Sequence, residues 1–462
     1  MKPTLGCLLV ACMLFLLGCA PKPQQTVSRT PEELDALARN LVLSMAAGKY
    51  EEASKMFNKQ MAAAMPASKL GELWSGLLVQ AGRWLQITRT KFIQESGYRV
   101  VYVTAAFEKG SVDIKVVFDD EAKVAGLWLV AFQPAQVSSQ YTAPVYAEED
   151  SFTEQEVVVG QDRWALPGTL TMPKGEGPFP AVVLVHGSGP QDRDETLGPN
   201  KPFKDLAWGL ASRGIAVLRY EKRTKHYAAE MKNVTNMTVK EETIDDAVAA
   251  VALLKDTPRV DPERIFVIGH SLGATLAPRI AEECLTSPRT RIAGIVMLAP
   301  ASRDLLDLIV EQVEYIAGLD ATISEAESRA IEATKAEVQK IRSGQLREGE
   351  LALNAPKSYW DDLAAYDAVE TARELGLPML ILQGERDYQV TMKDLQGWKD
   401  GLLGEANARE NVSITTYKDL NHLFISGTGK SSPDEYLVPG HVSEEVIDDI
   451  SEWVKTAGQA RD

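Results

Sequence analysis

Cysteine is scarce in this chain of 462 residues: there are four, and Cys7, Cys12 and Cys19 all fall near the start. If that stretch is a leader that leaves or carries a lipid, only Cys284 remains, and no intramolecular disulfide can form. Cys284 itself sits in the apolar-patterned PRIAEECL and reads as a buried, inert thiol. Positive charge is short as well, with 49 Lys and Arg against 65 Asp and Glu, a formal charge of −16. A nucleic-acid binder needs a basic face to meet phosphates, so that class is excluded. The apolar run near the start, about fourteen residues, falls short of the ~20 that span a membrane. No internal repeat of the propeller kind is present, and histidine is rare, with five in all. The remainder, 45% hydrophobic and 25% charged, is ordinary globular composition. Its length allows two or three domains.

The leader reads MKPTLGCLLVACMLFLLGC. One lysine precedes the apolar run, which ends in Leu16-Leu17-Gly18-Cys19 and resembles a bacterial lipobox. That resemblance implies a signal peptide over residues 1–18 and a lipid on Cys19. The chain would then lie outside the cytoplasmic membrane, held to it by the lipid alone. A non-lipidated signal or an uncleaved anchor is the alternative. Residues 19–30, polar and Pro-containing, suit a tether.

Residues 31–132 form a first unit. TPEELDALARNLVLSMAAGKYEEASKMF opens with a Pro and two Glu at a helix start and then repeats apolar positions at helical spacing. ASKLGELWSGLLVQAG gives another helix. Alternating segments from Trp84 to Phe132, broken by turns at Glu95-Ser96-Gly97, Lys109-Gly110 and Asp119-Asp120, predict an antiparallel meander. The order resembles the cystatin-like or nuclear-transport-factor-like α+β domains that precede some bacterial hydrolases. Residues 133–150 read as a linker.

From residue 151 to 462 strands alternate with helices, which predicts a mostly parallel α/β sheet covered on both faces. AVVLVHGSG is a continuous apolar run ending in Gly, as a strand buried on both faces should be. Thr238 and Glu241 form a capping-box pattern, and Ile244, Ala247, Val248, Val251 and Leu254 follow as a helical stripe. Residues 302–365 interrupt the alternation with two helical patterns after IVMLAP. An insertion at that edge of the sheet would overhang a ligand crevice and reads as a cap. A helical hairpin packed away from the site is the alternative.

The chemistry centres on RIFVIGHSLGATLAP, where a strand runs into Gly269, Ser271 and Gly273 and then a stretch of small residues. A serine hydroxyl needs a base, an orienting group for that base, and donors for the oxyanion. Gly269 and Gly273 flank Ser271 where a tight turn leaves no room for Cβ atoms, as in a nucleophile elbow. Pro278 is expected to kink the following helix. Chain order leaves His422 and His441 as bases, and His422, just after the strand VSITTY, is the better placed. Asp387, after the buried strand in PMLILQGERDYQV, would orient it, with Glu385 as nearest rival. Oxyanion donors would be the backbone N–H of Leu272 and of Ser188, with Gly187 or Gly189 as neighbours to the latter. Gly429-Lys430-Ser431 lacks the leading Gly of a phosphate loop and reads as a flexible surface turn.

HGSGP, RYEKR (219–223), GHSLG, GERDYQV and Asn421-His422, in that order, resemble the α/β-hydrolase fold over residues ~150–460. The likeness is nearest to the dienelactone-hydrolase-like and acyl-esterase branch of bacterial carboxylesterases. It implies two-step acyl transfer on a small-molecule ester through an acyl-serine, without metal or organic cofactor. Ser271, Asp387, His422 and the two backbone donors carry over as functional positions, and Arg219 and Arg223 as ion pairs holding loops. Tyr359 and Trp360, at the exit of the cap, are candidates for lining the pocket. Two other readings are a prolyl-oligopeptidase-like peptidase, for which the first unit is too short to supply a propeller, and a non-catalytic envelope binding protein on a hydrolase scaffold.

Overall fold

The computed structural model describes residues 29–95, 98–107, 110–134, 141–231, 234–319, 323, 325–404 and 409–457. The leader and Cys19 lie outside the described residues. The chain divides into two compact units, Met1–Gln136 and Val137–Asp462.

In the first unit, Thr30 and Glu33 exchange side-chain and backbone hydrogen bonds and start helix Pro31–Ala46. Pro31 sits at the first helical position, where its missing N–H costs nothing. Helices Tyr50–Ser54, Lys59–Ala64 and Ala67–Ala81 follow. Then come strands β1 (Trp84–Glu95), β2 (Tyr98–Phe107), β3 (Gly110–Phe118) and β4 (Val124–Pro134), in spatial order β1-β2-β3-β4. Alternation along β2 and β3 turns Val101, Val103, Ala105, Ile114 and Val116 to one face, where they pack with Leu34, Leu41 and Trp74 of the helices. The expected α+β meander is present.

In the second unit, the antiparallel pair β5 (Phe152–Val159) and β6 (Leu166–Pro173) precedes β7 (Phe179–Val185), β8 (Ala216–Tyr220), β9 (Val260–His270) and β10 (Gly294–Leu298). A two-residue hairpin, β11 (Leu351–Ala352) and β12 (Ala355–Pro356), leads to β13 (Met379–Gly384) and β14 (Val412–Tyr417). The main sheet has the order β14-β13-β10-β9-β7-β8-β6-β5 and is parallel except at β5 and β6. Along β7, Val183 and Val185 join one hydrophobic core while Val182 and Leu184 join the core on the other face. Each such fully buried side chain contributes about 1.5–3 kcal/mol of transfer free energy. Tyr141 and Tyr146, placed in the linker from sequence, belong to this unit instead. Tyr146 packs on its core and donates to the Val442 carbonyl at 2.7 Å, and Tyr141 donates to Asp205 at 2.7 Å. Their rings gain burial that a solvated tether would forgo.

Strand order reverses at β7. From it the chain turns to β8 on one side, then crosses back to β9 on the other. Loops leaving β7 and β9 therefore diverge, and a crevice opens between them at the carboxyl ends of the strands. HGSG follows β7, and Ser271 follows β9.

The helix after β9 is broken in two, Leu272–Thr275 and Ala277–Leu285, with Pro278 in the first turn of the second piece. Glu241 does receive the Thr238 N–H and hydroxyl, but the turn it starts, Lys240–Ile244, is π-helical before the helix settles at Asp245–Lys255. The insertion carries helices Leu305–Ala317, Glu325–Arg342 and Lys357–Ala364.

Candidate active site

Ser271 holds φ +54° and ψ −118°, a conformation that costs a non-glycine residue about 1–3 kcal/mol. Its neighbours make the bend unavoidable. A Cβ on Gly269 would strike the Gly273 carbonyl, and one on Gly273 would strike the carbonyls of Val185 and His186 at the end of β7. The Ser271 N–H donates to the Leu298 carbonyl at 2.9 Å, pinning the bend to β10. Ser271 lines a cavity of about 960 Å³ together with Ser188 and Leu272. Leu305, Leu308, Ile309, Leu353 and Trp360 of the insertion line the same cavity, so the inserted segment overhangs it.

Asp387 follows β13 and His422 follows β14, the two strands on one flank of β10. The His422 Nδ1–H donates to Asp387 Oδ2 at 2.6 Å, and both side chains are buried. Asp387 Oδ1 accepts the N–H groups of Gln389 (2.7 Å) and Val390 (3.0 Å), which fixes the carboxylate. With Nδ1 donating, the neutral ring carries its lone pair on Nε2, as a base must. Asn421 shapes the loop, its side-chain oxygen accepting from the N–H groups of Leu423 and Ile425.

The loop after β7 brings Gly187 so close to Ser271 that a Cβ there would sit 3.1 Å from the serine Cβ. Gly187 N–H is committed to Glu195 Oε1 at 2.6 Å, while Ser188 and Gly189, the next two residues of the loop, line the cavity with Ser271.

Glu385, His441 and the other acids, histidines and arginines of this unit named below have other partners. Glu385 accepts from the Thr416 hydroxyl, Asp362 pairs with Arg279, and Asp367 caps helix Ala368–Glu374. His441 lies 3.1 Å from Asp205. His186 contacts the Asp192 carbonyl, and burial pushes its pKa down to about 4. Arg219 pairs with Asp194 and Glu154, and Arg223 with Asp246, away from the cavity lining. Cys284 is buried, and burial pushes its thiol up to about 12. Tyr359 and Trp360 line the cavity and are also packed, Tyr359 donating to Glu242 and Trp360 to the Ala352 carbonyl. Ser431, expected on a flexible surface turn, is buried instead. Its hydroxyl donates to Glu435, whose carboxylate also holds Arg386 and Asn421. Among the described residues no group of three or more His, Cys, Asp or Glu could hold a metal ion.

Sequence reasoning missed a set of buried charges behind the serine. His270 Nε2 lies 2.9 Å from the His422 carbonyl oxygen, and its Nδ1 lies 2.9 Å from Glu195 Oε2. The second contact is off line for a hydrogen bond, so attraction of opposite charge dominates it. Both ring nitrogens face oxygens, which suits an imidazolium. Burial opposes that charge, but the Glu195 carboxylate, the His422 carbonyl and the nearby Asp387 together outweigh burial and hold the His270 pKa above the ordinary value. On the far side, Lys222 Nζ lies 2.9 Å from Glu242 and donates to the Gly187 carbonyl at 2.7 Å. His270 ends β9, while Glu195 and Lys222 lie in loops and Glu242 in a helix start, and no spacing rule singles them out.

A serine on a bend at the reversal point of a mostly parallel sheet is the arrangement of an α/β hydrolase. The chain belongs to that family: the model described as "Serine aminopeptidase, S33" matches residues 178–429. It is 42% identical over 405 residues to the esterase EstD of Thermotoga maritima, covering 88% of this chain and 91% of that one. The esterase FrsA of Escherichia coli O81 is 29% identical over 141 residues, 30% of each chain. Among solved structures, the Pyrococcus furiosus esterase Pf2001 is 20% identical with a TM-score of 0.41, covering 70% of this chain and 98% of that one. Residues 38–127 match a family described as a protein of unknown function, DUF3887.

The imidazolium contribution of His270 to stability should be complete below its unfolded value of ~6.5 and fade as pH rises through the higher folded value. The Tm gap between the wild-type protein and His270→Gln is therefore expected to narrow as pH rises from about 6 to about 9. A gap that stays constant across that range would contradict an imidazolium at His270.

Proposed function

We propose that this hydrolase cleaves carboxylic esters of small or medium acyl groups through an acyl-enzyme on Ser271. The reading is carried by the 2.6 Å contact between His422 Nδ1 and Asp387, with His422 tied by its carbonyl to the residue beside Ser271. Ser271 Oγ attacks the ester carbon while His422 Nε2 takes its proton and Asp387 stabilises the imidazolium. The carbonyl electrons move to oxygen, where the N–H groups of Leu272 and Ser188 receive the charge. Collapse expels the alcohol, protonated by His422, and water repeats the sequence on the acyl-serine to release the acid. The apolar side chains over the cavity suit an acyl chain.

The cavity favours esters over peptides with a free amino terminus. Such a substrate needs an unpaired carboxylate to hold its ammonium group. The three acids among the described residues that line the cavity are all engaged. Glu242 is paired with Lys222, Asp304 with Arg342 and the N–H of Leu306, and Asp367 with the N–H of Glu370.

We also propose that the chain is lipid-anchored at Cys19, outside the cytoplasmic membrane, the lipobox-like Leu16-Leu17-Gly18-Cys19 supporting this.

A fluorophosphonate should label the wild-type protein and not Ser271→Ala, and Asp387→Asn should lower kcat on p-nitrophenyl butyrate by about 10⁴. Equal labelling of Ser271→Ala would remove the nucleophile assignment. Metabolic labelling with a fatty acid should be lost in Cys19→Ala, and labelling that survives would contradict the anchor.

A further inference from the structure

Gly187 stands between two buried ion pairs of opposite orientation. Its N–H donates to Glu195 Oε1 at 2.6 Å, and Glu195 is paired with His270. Its carbonyl accepts from Lys222 Nζ at 2.7 Å, and Lys222 is paired with Glu242. All four charged side chains are buried: Lys222 is 2% exposed, Glu195 and Glu242 4% each, and His270 6%. Buried ion pairs add little net stability over apolar side chains of equal volume. Two of them meeting on one glycine call for a reason other than stability.

Peptide geometry supplies it. The carbonyl of Gly187 and the N–H of Ser188 belong to one planar trans unit and point in opposite directions. Fixing the carbonyl toward Lys222 therefore fixes the Ser188 N–H toward the other side, and Ser188 lines the cavity with Ser271 and Leu272. Glycine suits the position, because a Cβ would crowd Ser271 and Glu195, at 3.1 and 3.3 Å. Glycine is also the residue whose flanking peptides turn most freely, so the loop is most prone to misdirect the donor at the point where aim matters. Glu195 is itself held at φ +51°, an uncommon conformation for a glutamate. Asp192 supports that bend, its carboxylate accepting from the N–H groups of Asp194 and Thr196 on either side. An ammonium on the carbonyl also polarises the amide and strengthens its N–H as a donor.

We propose that Lys222 and Glu195 are positioning residues that clamp Gly187 from both sides and preset the Ser188 N–H as an oxyanion donor. The proposal rests on the acyl-serine reading above. It makes Lys222, the fourth residue of RYEKR, part of the catalytic apparatus although it touches no substrate.

The test compares a transition-state mimic with a ground-state mimic. An alkyl trifluoromethyl ketone adds Ser271 Oγ to its carbonyl carbon; the carbonyl electrons become an oxyanion and the serine proton moves to His422. The corresponding secondary alcohol occupies the same cavity without an oxyanion. A missing oxyanion donor costs ~10²–10³ in turnover, so a misaimed one in Lys222→Met should cost about 10- to 100-fold in kcat on p-nitrophenyl butyrate. KM should stay within about threefold. The Ki of the trifluoroketone should rise by the same factor as kcat falls, while the Ki of the alcohol stays within about threefold. Should Lys222→Met fail to fold, Lys222→Met/Glu242→Gln removes both charges and carries the same expectation. Glu195→Gln, which keeps an oxygen for the Gly187 N–H, should retain more activity than Glu195→Ala. Unchanged kcat, or a loss of kcat with no change in the trifluoroketone Ki, overturns the clamp. A wild-type protein that neither turns over the ester nor reacts with a fluorophosphonate fails earlier, at the acyl-serine reading, and takes the clamp with it.

Discussion

Everything at the site hangs on how near three stretches of backbone can come to one another. The carbonyls that end β7 lie where a Cβ of Gly273 would be, and the Gly273 carbonyl lies where a Cβ of Gly269 would be. That contact forces the chain to bend at Ser271, whose φ of +54° would otherwise relax. Because the bend falls where strand order reverses, the serine emerges into the crevice, with HGSG on one side and the Asp387–His422 pair on the other. Sheet, bend and crevice are one construction: parallel strands buried on both faces supply the rigidity that keeps a strained residue strained.

Charge is used with the same economy of motion. Around Ser271 the charged side chains Glu195, His270, Lys222 and Glu242 are buried and paired. His270 joins the two sides of the crevice, since it meets Glu195 of the β7 loop and the His422 carbonyl of the β14 loop. His270, the residue before Ser271, thus ties the loop after β7 to the loop after β14, a link its place in GHSLG does not advertise.

Much of this was legible in the residues. Local chemistry carried the elbow, because glycines flanking a serine after a buried strand have few other uses. Chain order carried Asp387 and His422, because each follows a strand of a parallel sheet and so must surface at the same edge. The helices of the insertion showed in their periodicity, but their place over the cavity is decided by tertiary packing, and the hairpin at Leu351–Pro356 is too short to leave a pattern. Glu195 and Lys222 were not legible at all. A charged residue in a polar loop looks solvated until the fold buries it, and only the hydrogen bonds to Gly187 reveal its purpose. Tyr141 and Tyr146 were misplaced for the converse reason: prolines and polar neighbours mask two aromatic rings that the hydrolase core takes in.

The cavity adds the last constraint. Its apolar overhang comes from the insertion, and Glu242 and Asp304 of its lining are each paired with a cation, which supports the proposed acyl-ester substrate. The most direct test of this account is to quench the enzyme during turnover of p-nitrophenyl butyrate and find the acyl group by mass spectrometry. A butyryl increment on the peptide containing Ser271 is the expected result. Turnover with the increment on another residue, or with no covalent increment under rapid acid quench, would contradict it.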